Sequence, residues 1–160
     1  RGGRYRRRHY KGVGEMKLLV IHGPNLNMLG IREKKIYGAQ TYEDLLEYIR
    51  QICAREGIEV KFYQSNHEGD LVDAIQGAYY DQMDGIIINP GAYTHTSIAL
   101  LDAVKAVQIP TVEVHLSNIY EREEFRHTSY ISLGCIHSYY GMGFQGYEEA
   151  VNCLKNYWNS

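Results

Sequence analysis

From Met16 onward, short apolar runs alternate with longer stretches in which apolar residues return every three or four positions. These are the periods of strand and helix. "KLLVIHG" (17–23) predicts a first buried strand. A polar loop flanked by glycines, "GIREKKIYG" (30–38), separates it from a helix predicted over 41–56. Leu45, Ile49, Ile52 and Cys53 share one face of that helix; Thr41 with Asp44 three residues on is a cap signal, and Gly57 a stop. "IEVKFYQ" (58–64) predicts a second strand, and Leu71, Val72, Ile75 and Tyr79 mark a second helix. "GIIIN" (85–89) is apolar enough to be a strand buried on both faces. Ile98 to Val107 reads as a third helix ended by Pro110, and "TVEVH" (111–115) as a fourth strand. A fifth strand is placed around Cys135–Tyr139, less sharply because two tyrosines adjoin there. Tyr147, Ala150, Val151 and Leu154 give a last helix.

Strands alternating with helices specify a parallel sheet covered on both sides. Five strands in about 140 residues suit an α/β, flavodoxin-like, doubly wound three-layer sandwich. The expected organisation is a basic flexible tail over 1–15 and a single domain over 16–160, without internal repeats.

Composition narrows the function class. The net charge of −2 is unevenly spread: residues 1–14 hold six of the seventeen basic residues and no acid, leaving the remainder at −8. The tail reads as a solvated extension or, alternatively, as an electrostatic contact for nucleic acid or an acidic surface. The acidic body lacks the broad basic face of a nucleic-acid module. No apolar run approaches a membrane span and no apolar signal core opens the sequence, so a cytoplasmic protein is expected. Three scattered cysteines without a CxxC suggest reduced thiols.

In a doubly wound sheet, ligands bind beyond the carboxyl ends of the strands. The four exits there read "HGPNLN" (22–27), "SNHEGD" (65–70), "NPGAYTHTS" (89–97) and "HLSN" (115–118). All are dense in Asn, His, Ser, Thr and Gly, more than plain connectors need. The expected ligand is a polar, oxygen-rich small molecule, with "HTS" and "LSN" as backbone anion cradles. "GMGFQG" (141–146) matches G-x-G-x-x-G, but no complete βαβ unit can follow it, so it reads as a turn and helix start. No P-loop or HExxH is present, nothing fixes a metal geometry on His67, His95 and His115, and Ser65, Ser97 and Ser117 lack a nucleophile elbow.

"GPNLNMLGIRE…YG", "QSNHEGDLVDAI", "NPGAYTHTSIALLDA" and "EVHLSNIYEREEFRHTSYIS", in this order over nearly all of the chain except the tail, closely resemble type II 3-dehydroquinate dehydratases. The resemblance implies a flavodoxin-like subunit assembled as a homo-oligomer, commonly a dodecamer of trimers. It also implies a cofactor-free reversible dehydration of 3-dehydroquinate to 3-dehydroshikimate. Carried onto this chain, Tyr37 is the tyrosinate base at C2 and Arg32 the arginine beside it. Asn25 helps hold a water that stabilises the enolate. His115 is the general acid for the C1 hydroxyl, and Glu113 orients it. Asn89, His95 and Arg126 contact the substrate, Leu116 and Ser117 bind its carboxylate, Asp102 reaches a neighbouring subunit's site, and Arg122 is a second loop arginine.

The chemistry suits these roles. Free tyrosine has a pKa of about 10, and a nearby guanidinium lowers an anion's pKa by about 1–3 units. Arg32, five residues before Tyr37, can do this if the loop folds back on itself. The chain departs from the family at Lys34, where proline is frequent, and in the more aromatic "GCIHSYYGMGFQGY". Plainer roles stand beside these: turn chemistry for Asn25, a structural histidine at 115, a helix cap or pair for Asp102, a surface aromatic at Tyr37. The competing functions are a catalytically silent binding module for a polyhydroxy acid and a nucleic-acid protein using residues 1–11.

Overall fold

A computed structural model of the chain describes residues 16–31 and 40–159. The basic tail, Arg32, Lys34 and Tyr37 lie outside the described residues. Five strands, β1 (Lys17–His22), β2 (Glu59–Gln64), β3 (Gly85–Asn89), β4 (Thr111–His115) and β5 (His137–Tyr140), form one sheet in the order β2-β1-β3-β4-β5. Every pairing is parallel. The helices are α1 (Tyr42–Arg55), α2 (Glu68–Tyr80), α3 (Ile98–Val107) and α4 (Gln145–Asn159). This is the doubly wound α/β sandwich expected.

The side-chain alternation of β1 divides the core. Leu18 and Val20 pack with Leu45 and Ile49 of α1 and with Val151 and Leu154 of α4. Leu19 and Ile21 point the other way, to Leu71 and Ile75 of α2 and Leu100 and Val104 of α3. β3 and β4 are buried at every position, whereas β2, on the sheet's edge, alternates exposed and half-buried residues.

Local signals set the element ends. Thr41 Oγ1 accepts from the Asp44 amide at 3.1 Å, while Asp44 Oδ2 accepts from the Thr41 amide at 2.9 Å, a complete capping box on α1. β5 begins at His137 rather than near Cys135, because a 3-10 turn over Ile131–Gly134 runs into Cys135, which packs into the α2/α3 core. "GMGFQG" is a turn leading into α4, as read.

With this order the chain leaves β1 toward β2 on one side and returns through α2 to β3 on the other. The reversal opens a crevice at the carboxyl ends of β1 and β3, where doubly wound sheets take ligands.

Candidate active site

A cavity of about 160 Å³ lies at that crevice. Of the residues singled out from the sequence, Asn25, Asn89, His95 and His115 line it, as do Leu116, Ser117, Arg122 and Arg126. They come from the exits of β1, β3 and β4 and from the turns that follow β4.

The walls are built by close backbone packing. A Cβ on Gly23 would fall 2.3 Å from the carbonyl oxygen of Pro90, and one on Gly91 2.9 Å from that of Pro24. Only glycines let the loops after β1 and β3 press together in this way. Asn25 sits at φ 70°, a left-handed conformation that Asn tolerates, and its amide donates to Asn66 Oδ1 at 3.1 Å. Asn89 is fixed by the Gly91 amide, which donates to its Oδ1 at 3.1 Å.

Behind His115 lies a buried carboxylate. Glu113 is 1% exposed and His115 6%. His115 Nε2 is 2.6 Å from Glu113 Oε2. The Thr94 and Ser129 hydroxyls donate to the same oxygen at 2.5 and 2.6 Å, and the Ser138 hydroxyl donates to Oε1 at 2.7 Å. Burial alone pushes the Glu113 pKa up, but the His115 hydrogen bond and charge and the hydroxyl donors outweigh it, bringing it down to about 2. An ionised Glu113 accepts the proton on Nε2 of His115. Nδ1 is then the ring nitrogen left to meet a ligand.

His95 has the complementary arrangement. Its Nδ1 lies 2.7 Å from the carbonyl oxygen of Thr128, which can only accept, so Nδ1 carries the proton. Burial lowers its pKa, with the Thr128 hydrogen bond opposing, and the neutral ring turns Nε2 out as an acceptor. Arg126 is held by Glu123, Nε to Oε2, at 2.5 Å.

Several expectations need correction. His22, counted with the polar exit of β1, is 0% exposed and lies in the interior. Its Nδ1 is 3.0 Å from the Tyr42 hydroxyl and its Nε2 2.9 Å from that of Tyr147, and burial lowers its pKa to about 3. The exit of β2 does not line the cavity, because β1 stands between that edge strand and the crevice. Ser65 there closes a local turn, donating to Asp70 at 2.8 Å and accepting from the His67 amide at 3.0 Å. Nor is "HTS" an open anion cradle: the Thr96 and Ser97 amides both donate to the Tyr93 carbonyl. Ser97 Oγ caps Leu100 instead. Asp102, expected at a neighbouring subunit's site rather than at this one, is exposed on α3 and does not line this cavity. Among the described residues no cluster of three or more His, Cys, Asp or Glu is placed to hold a metal.

Sequence reasoning missed the hydroxyls of Thr94, Ser129 and Ser138. The first two stood inside quoted motifs without a role. Ser138 became readable only through the pairing of β5 with β4.

The described fold and site define a doubly wound α/β protein with a histidine–carboxylate pair opening on a polar, arginine-rimmed cavity. The family model for class II dehydroquinase matches residues 16–155. The chain is 56% identical over 142 residues to the 3-dehydroquinate dehydratase of Clostridium perfringens strain 13, covering 89% of this chain and 97% of that protein. It is 57% identical over 139 residues to that of Caldicellulosiruptor bescii, covering 87% and 96%. The crystal structure of a type II dehydroquinase from Butyrivibrio crossotus superposes with a TM-score of 0.86 at 53% identity, over 91% of this chain and 98% of that one. The chain belongs to the class II dehydroquinase family, and so to the hydro-lyases.

Proposed function

We propose that this enzyme catalyses the cofactor-free, reversible dehydration of 3-dehydroquinate to 3-dehydroshikimate by anti elimination through an enolate. The observation that carries this reading is the buried Glu113–His115 pair, 2.6 Å apart, at the wall of a cavity otherwise lined by neutral donors, acceptors and arginines. Such a pair supplies a proton to a leaving hydroxyl, and the cavity suits a polyhydroxylated ring bearing a carboxylate.

In this mechanism Tyr37, ionised beside Arg32, takes the proton from C2, next to the ketone. The electron pair moves onto the ketone oxygen, where Asn25 and its water stabilise the enolate. The enolate collapses as the C1–oxygen bond breaks, and the proton on Nδ1 of His115 goes to the departing hydroxyl, which leaves as water. Glu113 stabilises the His115 imidazolium beforehand. Asn89, His95 and Arg126 hold the ring hydroxyls, Leu116 and Ser117 the carboxylate, and Arg122 the rim. Asp102, exposed on α3, acts at the site of a neighbouring subunit in a homo-oligomer of trimers. The setting proposed is the cytoplasm, in aromatic biosynthesis or quinate breakdown, which share this step.

Running the reaction backward in deuterium oxide tests the reading. From 3-dehydroshikimate, the enzyme should place deuterium at C2 on the face opposite the newly added C1 hydroxyl. Deuterium on the same face would refute the anti course. No hydration at all would refute the activity.

A further inference from the structure

The Glu113 carboxylate is loaded unequally. Oε2 receives Thr94, Ser129 and His115, whereas Oε1 has the Ser138 hydroxyl as its donor. Ser138 is on β5, the edge strand, in direct register with Glu113 on β4. Residues opposite each other in a parallel pair project to the same face of the sheet. The two neighbours of Ser138 turn elsewhere: Tyr139 packs into the α1/α4 core and His137 is exposed. The aromatic segment at the sheet edge thus sends one small hydroxyl inward, to a carboxylate oxygen that is 1% exposed.

An anionic oxygen without a donor is costly in such surroundings. The terminal torsion of a carboxylate is broad and weakly restrained, and the donors on Oε2 all restrain it from one side of the group. The Ser138 hydroxyl on Oε1 restrains it from the other side and so keeps the Oε2 lone pair aligned with the His115 ring.

We infer that Ser138 is a positioning residue of this enzyme: its hydroxyl pins Glu113 and, through Glu113, sets the aim of His115 in the proton transfer to the leaving hydroxyl. The inference rests on the reading of His115 as the general acid. Removing the hydroxyl leaves the substrate-lining groups in place, so the chemical step suffers and binding does not.

Steady-state kinetics on the full chain with 3-dehydroquinate test this, using Ser138→Ala, Ser138→Thr and each change combined with His115→Asn. Ser138→Ala is expected to lower kcat about tenfold with KM within about twofold, one charge-assisted hydrogen bond being lost one residue away from the reacting group. Ser138→Thr, which keeps the hydroxyl and suits a strand, is expected to restore kcat to within about threefold. In the His115→Asn background, Ser138→Ala should change kcat no further, because residues acting through one another are non-additive. An unchanged kcat in Ser138→Ala, a loss in Ser138→Thr as deep as in Ser138→Ala, or an equal further loss in the His115→Asn background would each overturn the inference. An unmutated enzyme that forms no product would instead overturn the general-acid reading beneath it.

Discussion

Two buried residues, Glu113 and His22, show what the interior asks of a titratable group. Glu113 remains charged because four donors surround it, while His22 remains neutral because burial penalises its charged form and its partners are two uncharged tyrosine hydroxyls. Both make the fold sensitive to acid, over different ranges. For His22 the unfolded chain binds a proton below about 6.5 and the folded chain only near 3, so stability is full above pH 6.5 and falls as the pH drops toward 3. The slope contributed is about 1.4 kcal/mol per pH unit. Glu113, with its folded pKa down at about 2 against 4.5, adds stability that is lost from about pH 4.5 downward. Denaturant melts between pH 6.5 and 5 should therefore show a shallower dependence on pH in His22→Gln than in the unmutated chain, and a parallel pair of lines would disprove the assignment. For Glu113→Gln, kcat is expected to fall by about a hundredfold or more, the usual lower bound for losing general acid assistance, with KM little changed. The sequence marked Glu113 through the family motif, but not the hydroxyls around it, because which side chains meet a strand's interior residue depends on the neighbouring strand's register. His22 was misplaced for a related reason: a polar residue closing an apolar run looks like the start of a loop until Tyr42 and Tyr147 are seen on either side of it.

Elements carry these residues into place, and their ends were the most legible part of the chain. The Thr41–Asp44 box, the Gly57 stop and the Ser97 cap follow from local chemistry, so α1 and α3 fall within a residue or two of where the sequence puts them. β5 was less readable, since Cys135 and Ile136 have strand character yet belong to the turn that precedes it. Thr41→Ala removes one half of the capping box and is expected to cost about 1 kcal/mol. In a chain of this size that lowers the melting temperature by about 2–4 °C, which calorimetry would register. The junction between the loops after β1 and β3 is far less forgiving. Gly23→Ala drives a methyl to 2.3 Å from a carbonyl oxygen, where backbone rather than a flexible side chain must yield. A loss of about 3 kcal/mol in chemical denaturation is expected, together with a raised KM, because Asn25 and Asn89 move with the two loops. A Gly23→Ala variant with unaltered stability would show that these loops do not depend on that contact.

The whole molecule explains why the cavity lies where it does. A sheet ordered β2-β1-β3-β4-β5 has one point at which its winding reverses, and the exits of β1 and β3 part there. Strand alternation in the sequence was enough to expect a doubly wound sandwich and to put the site at the carboxyl edge. It did not tell which exits would converge, so the β2 exit was credited with a place in the cavity wall, whereas Asn66 there supports Asn25 from behind. Asp102 is exposed on α3, where a side chain proposed to act at a neighbouring subunit's site must be free to reach out. Gly30 and Gln40, described residues on either side of the segment that holds Arg32 and Tyr37, lie against each other: a Cβ on Gly30 would fall 2.8 Å from the carbonyl oxygen of Gln40. The proposed reaction is tested by following the growth of ultraviolet absorbance from the conjugated enone when 3-dehydroquinate is mixed with the unmutated enzyme and, in parallel, with Tyr37→Phe. Steady product formation by the unmutated enzyme is expected, with a rate lower by on the order of a thousandfold in the variant, which retains the ring and lacks the hydroxyl proposed as the base. Equal rates would remove Tyr37 from the mechanism, and a silent unmutated enzyme would contradict the proposed reaction itself.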